Sequence, residues 1–252
     1  MPRAEFTDRL AAALSLPTRR GSWARGIERA APAPPLPARQ AATRNICGPA
    51  CAAGRRPLRK EARNSAAQAA SGAGRRLLPR CLFLIGGRCS GKSTVGVILA
   101  RILNLPLHDT DRMIEDETGS NAAEIVSREG WPGFRGRESR ALARAVEAGG
   151  VIAGGGGVIL AEENRALMRA SGLVFYLAAP AQTLYERMRD AGNFSGRPSL
   201  TGADPLEETA AVMAGREALY LECAHYVLDA AQPARQTAFA AARILKREAF
   251  GP

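Results

Sequence analysis

Cys81-Leu82-Phe83-Leu84-Ile85-Gly86-Gly87-Arg88-Cys89-Ser90-Gly91-Lys92-Ser93 is the stretch that decides the fold. Its apolar run, stopped by two glycines, reads as a strand buried on both faces. Gly86 to Ser93 then match the pattern G-x-x-x-x-G-K-[ST]. Behind them Val95, Ile98, Leu99, Ile102 and Leu103 recur at helical spacing and make the stripe of an amphipathic helix. Glycines let such a turn curl until backbone N–H groups point inward at phosphate oxygens. The helix N-terminus adds partial positive charge. Lys92 is placed to reach the terminal phosphates of a nucleotide, and the Ser93 hydroxyl to ligate Mg²⁺. After Lys92 the chain holds one further lysine, Lys246, so this ammonium stands alone among arginines.

The pattern continues outward from that unit. Leu105–His108 reads as a second short strand. Asn121, with Glu124 three residues on, starts a helix that Gly130 stops. A helix runs from Phe134 to about Ala148, ended by Gly149-Gly150, and Val151–Ala153 reads as a strand. Leu173–Leu177 is the clearest buried strand. Helices are expected near Gln182–Arg189 and Glu207–Tyr220, a last strand at Tyr226–Leu228 and a closing helix near Ala238–Ala249. Strands alternating with helices define an α/β domain, a parallel sheet covered on both faces.

Charge divides the 252 residues. Residues 1–80 carry 16 Arg or Lys against 4 Asp or Glu, whereas 81–252 carry 19 against 20. The excess of +11 therefore belongs to the first third, and a nucleic-acid binder is not what the basic balance implies. That third is rich in Ala, Arg and Pro and poor in aromatic and β-branched residues. Such a composition cannot bury enough apolar surface to offset chain entropy. Residues 1–79 are expected to be a disordered basic extension, with one short helix around Phe6–Leu14, and residues 80–252 to be the folded domain. The extension is Arg-rich and acid-poor, as organellar transit peptides are. A plastid location therefore stands as the alternative to a cytoplasmic one. Cys47, Cys51, Cys81, Cys89 and Cys223 form no disulfide or zinc framework and read as free thiols of a reducing compartment. No run approaches the ~18 apolar residues of a membrane span.

Asp109-Thr110-Asp111 follows the second strand. In extended chain, residues two apart point to one side, so both carboxylates can face one pocket. Ligands of open α/β sheets bind at the carboxyl ends of the strands, the edge where Gly86–Lys92 also lies. Asp109 is the candidate for Mg²⁺, through water, and Asp111 for the acceptor hydroxyl and its proton. The plainer alternative makes Asp111 the cap of a helix starting at Arg112. Arg135 and Glu138 are i, i+3 neighbours, so the carboxylate can orient a guanidinium suited to capturing an acid. Gly154-Gly155-Gly156-Gly157 at a strand end fits a place where a ligand touches backbone. Arg197 sits in a long polar segment between two helices, where a lid would carry it onto a transferring phosphate. Arg216 lies on the following helix, four residues before Tyr220.

Taken in order, these residues resemble shikimate kinase, a P-loop enzyme of the nucleoside-monophosphate-kinase-like group, over about residues 82–247. The resemblance is carried by Phe83–Gly86, the phosphate loop, Asp109-Thr110-Asp111, Phe134-Arg135 with Glu138, Gly155–Gly157, Arg197-Pro198, and Arg216 with Tyr220. Ala123–Val126, Ser199–Gly202, Ala218–Tyr220 and Ala224-His225 look especially like the bacterial type II isozyme. Trp131-Pro132-Gly133 departs from the family's commoner Gly-Glu run, and Gly154 stands where Thr or Ser is frequent. The resemblance implies a three-layer α/β/α fold: a five-stranded parallel sheet with the phosphate-loop strand central, and a mobile lid. It implies that Cys89, Ser90, Gly91, Lys92, Ser93 and Thr94 wrap the ATP phosphates with Arg197 above them. Ser93 and Asp109 would serve magnesium. Asp111, Arg135, Gly156 and Arg216 would bind shikimate, and Lys92, Asp111 and Arg197 would carry the transfer. The expected product is shikimate 3-phosphate, and the expected state a monomer without membrane or nucleic-acid partner. A gluconate kinase of the same fold is the nearest rival; the arginine pair with the triple glycine favours shikimate.

Overall fold

The computed structural model describes residues 80–191 and 204–250, together with the backbone of Ile27–Arg29. The strands are β1 (Ile27–Arg29), β2 (Cys81–Ile85), β3 (Leu107–Asp109), β4 (Gly150–Ala153), β5 (Gly172–Ala178) and β6 (Tyr226–Asp229). The helices are α1 (Lys92–Leu103), α2 (Thr110–Thr118), α3 (Ala122–Ala148), α4 (Glu162–Ser171), α5 (Ala181–Asp190), α6 (Pro205–Cys223) and α7 (Ala234–Phe250). A 3₁₀ turn at Val158–Leu160 precedes α4.

The strand order is β1-β6-β5-β2-β4-β3. β2 to β6 are mutually parallel with β2 central, as the resemblance implied. These are the five parallel strands expected, and a sixth, antiparallel strand is added at the edge. Ile27–Arg29 pairs antiparallel with β6, Ile27 opposite Leu228. β6 would otherwise present unpaired backbone groups along its outer edge, and three extended residues satisfy them. The remainder of the expected extension, including the helix at Phe6–Leu14, lies outside the described residues.

Side chains alternate across the sheet with period two. Leu82 and Leu84 of β2 and Phe175 and Leu177 of β5 face the layer built by α1 and α7, where Val95, Leu99 and Leu245 are buried. Phe83, Ile85, Val174 and Tyr176 face the opposite layer, built by α3, α4 and α6 with Leu142, Met168 and Tyr220. Burying each of these large side chains contributes roughly 2 kcal/mol. A smaller cluster, Ile114, Ile125, Phe134 and Ala141, fixes α2 against α3.

α3 begins with the expected capping box. Asn121 Oδ1 accepts from the Glu124 N–H at 3.0 Å, and Glu124 Oε2 accepts from the Asn121 N–H at 2.9 Å. Gly130, at φ 70°, breaks the helical path two residues before Pro132. Proline lacks an N–H and its ring crowds the carbonyl four residues back, so a helix does not run straight through it; the break falls at Gly130, where glycine tolerates positive φ. The kink re-aims Phe134 and Arg135. Among the described residues no helix is long and apolar enough to cross a membrane.

Candidate active site

Parallel strands deliver their carboxyl ends to one edge, and the site is built there. β2 runs into the phosphate loop. Gly91, at φ 90°, is the N-cap of α1; it offers no side-chain cap, and the first turn holds no acidic residue. The helix N-terminus is thereby left with N–H groups directed at the cavity, ready for an anion. Lys92 Nζ donates to the Gly86 carbonyl at 3.0 Å and the Gly87 carbonyl at 2.7 Å. Ser90 is 2% exposed, and its Oγ has no hydrogen-bond partner. Cys89 holds φ 56°, a left-handed conformation unusual for a residue with a Cβ.

β3 supplies the acidic pair, with a geometry the sequence reading did not foresee. Asp109 and Asp111 do not alternate along a strand: β3 ends at Asp109 and α2 starts at Thr110. The cap of that helix is Asp109, not Asp111. Its Oδ1 accepts from the Asp111 N–H at 3.1 Å and the Arg112 N–H at 3.3 Å. Its other oxygen, Oδ2, accepts from Ser93 Oγ at 2.5 Å, so the two expected metal ligands touch. Thr110, which the sequence reading gave no role, is fully buried, and its Oγ1 accepts from the Gly155 N–H at 2.9 Å. This bond ties the acidic turn to the glycine run.

The glycine run is where the acceptor residues meet. A Cβ on Gly155 would collide with Glu138 Oε1 and lie 2.7 Å from Asp111 Oδ1. A Cβ on Gly157 would overlap the Arg135 guanidinium. Arg135 is paired with Glu138 as its spacing predicts, and its Cζ lies 5.0 Å from the centre of the Trp131 ring. Glu138 is 1% exposed. Burial, the largest cause, pushes its carboxyl above the ordinary range; the charge and hydrogen bond of Arg135 oppose this, and Asp111 adds to it. Arg216 Nη1 donates to the Gly156 carbonyl at 3.2 Å. Arg135, Gly156, Arg216 and Asp111 are thus brought together around three glycines. Arg197 lies outside the described residues.

A cavity of about 650 Å³ opens over the loop, lined by Cys89 to Thr94, Asp109 and Asp111. Its far wall is Arg187, Met188 and Ala191 at the end of α5, with Gln232 and Thr237 beyond β6. The sequence reading missed this wall. No local motif marks it, because it is assembled only when β5 and β6 take their places beside β2. The donor set suits magnesium. Ser93 and Asp109 offer adjacent hard oxygens beside the phosphate cradle, and Mg²⁺ is bound by one or two carboxylates plus phosphate oxygens rather than by an all-protein cage. Accordingly, no group of three His, Cys, Asp or Glu able to hold a metal occurs among the described residues.

A phosphate loop on the central strand of a parallel sheet, facing a capped acidic turn, defines a P-loop phosphotransferase. The family model described as "Shikimate kinase" matches residues 88–247. "Shikimate kinase 2" of Sodalis glossinidius is 52% identical over 152 residues, 60% of this chain and 87% of that one. "Shikimate kinase 2" of Syntrophotalea carbinolica is 44% identical over 172 residues, 68% of this chain and 100% of that one. Among solved structures, shikimate kinase from Acinetobacter baumannii in complex with shikimate is 33% identical, with a TM-score of 0.63 over 67% of this chain and 93% of that chain. The chain belongs to the shikimate kinase family.

Proposed function

We propose that this chain transfers the γ-phosphate of ATP to the 3-hydroxyl of shikimate, giving ADP and shikimate 3-phosphate. The observation that carries the reading is the convergence of two guanidiniums, Arg135 on Gly157 and Arg216 on Gly156, beside the Asp111 carboxylate. An acid with a ring hydroxyl fits that set: carboxylate on the arginines, hydroxyl on the aspartate.

The nucleotide's phosphates lie on the N–H groups of Cys89 to Thr94, with the base toward Arg187 and Gln232. Lys92 exchanges its two loop carbonyls for phosphate oxygens. Asp111 accepts the hydrogen of the acceptor hydroxyl and aligns it, and Glu138 keeps Arg135 oriented. Arg197 is assigned to the phosphates by its place in the family pattern. Ser93 and Asp109 would hold magnesium, which would supply charge neutralisation at the phosphates. The protein's part is positioning and electrostatics rather than covalent chemistry. The family's bacterial members support a cytoplasmic location over a plastid one.

The test is a coupled ADP-release assay on the full chain with shikimate and, separately, gluconate. Turnover with shikimate is expected. Turnover with gluconate alone overturns the reading.

A further inference from the structure

The carbonyl of Gly156 takes two donors. Besides Arg216 Nη1 at 3.2 Å, the Tyr220 hydroxyl reaches it at 2.6 Å. Both residues are on α6, four apart and so on one face. Their circumstances differ. Tyr220 is fully buried and lies flat on Tyr176, ring centres 4.9 Å apart and planes within 7°. Burial, the largest cause, also drives its phenol pKa far upward, so the hydroxyl remains a donor throughout the working pH range. Arg216 is half-buried and makes the longer bond, and its guanidinium lies close enough to the phenol oxygen for its charge and hydrogen bonding to oppose the effect of burial.

We propose that Tyr220 is a positioning residue that makes Arg216 releasable. It holds the Gly156 carbonyl whether or not Arg216 does, so the guanidinium can leave the glycine run for the substrate's carboxylate. This rests on Arg216 as a carboxylate ligand, as proposed above. A carbonyl that loses all of its donors bears a desolvation penalty, whereas one that keeps a short bond does not. With the hydroxyl removed, Arg216 becomes the donor that carbonyl depends on, and its transfer to the acid strands the oxygen. Substrate capture then works against the glycine run instead of independently of it. Gly156, Arg216 and Tyr220 do not line the cavity over the phosphate loop, so the exchange leaves ATP binding aside.

The experiment is a double-mutant cycle on the full chain: Tyr220→Phe, Arg216→Ala and both together, with KM for shikimate, KM for ATP and kcat measured for each. Phenylalanine keeps the stack on Tyr176. Tyr220→Phe is expected to raise the shikimate KM roughly ten-fold, with kcat and the ATP KM within about two-fold. In the Arg216→Ala background the same change is expected to add less than about two-fold, because there is no guanidinium left to release. If Arg216→Ala leaves the shikimate KM unaltered, the assignment of Arg216 fails, and the inference with it. If Arg216→Ala raises that KM but Tyr220→Phe does nothing, or adds equally in both backgrounds, the assignment survives and the inference is wrong. A Tyr220→Phe chain that does not fold also overturns it, since the hydroxyl would then be a requirement of the fold.

Discussion

Replacing Gly157 by alanine separates the acid site from the rest of the molecule. Gly157 has φ −108° and ψ 1°, a conformation open to alanine, so the backbone itself resists the change little. The obstacle is Arg135. A Cβ on residue 157 would stand 2.6 Å from Nη2, with Cζ and Nη1 closer still. Ordinary contact begins near 3.4 Å, so Nη2 has to withdraw by roughly 1 Å and the nearer atoms by more. Arg135 is a flexible side chain, and its retreat leaves the core untouched. A misplacement of that size costs on the order of 10²-fold, about 2.7 kcal/mol, when the displaced group grips the substrate. The shikimate KM is therefore expected to rise about a hundredfold, with the ATP KM within about two-fold and the melting temperature within about 3 °C. The assay is steady-state ADP release alongside thermal denaturation. An unchanged shikimate KM in a stable Gly157→Ala chain would refute the idea that Arg135 grips the acid from this seat.

Lys92→Ala should lower turnover on the order of a thousand-fold, with unchanged circular dichroism, because the ammonium serves the phosphates and not the core; retained turnover contradicts the cradle. Cys89→Gly should stabilise the chain by about 0.5–1 kcal/mol, read as a Tm rise of about 1–4 °C, since relief of the left-handed strain outweighs glycine's added entropy; a lower Tm would mean that the thiol's packing matters more. Glu138 gives a pH signature. Its carboxyl is raised above the ordinary 4.5, so between that value and the raised one the folded chain holds the extra proton, and stability falls as pH climbs through the window. Urea midpoints of the parent chain should fall with rising pH relative to those of Glu138→Gln; a pH-independent difference shows that Arg135 cancels the effect of burial.

The central strand, the phosphate loop and the Arg135–Glu138 pair were legible because each is local: a run, a motif, an i, i+3 spacing. The kink at Gly130 was legible as a helix stop because glycine and proline punctuate the sequence there. Other features were not. α4 was missed because Glu162–Ser171 has only Leu167 and Met168 as large apolar residues, too short a stripe to read. β1 was missed because three residues in an Ala/Arg/Pro-rich stretch carry no period of their own; the open edge of β6 determines their pairing. The acidic turn was found for an incomplete reason. Its residues were right, but the switch from strand to helix at Thr110, not alternation along a strand, arranges them. Thr110 went unnoticed because its partner, the Gly155 N–H, is 45 residues away.

The ammonium that rests on Gly86 and Gly87 has a consequence for selectivity. A lone anion entering the cradle draws the ammonium off two carbonyls and offers only a few oxygens to it and to the loop amides in exchange. A chain of phosphoryl groups delivers many oxygens at once, to the ammonium and to the surrounding amides, and repays the exchange several times over. On that reasoning the cradle favours polyphosphates over single sulfate-like ions.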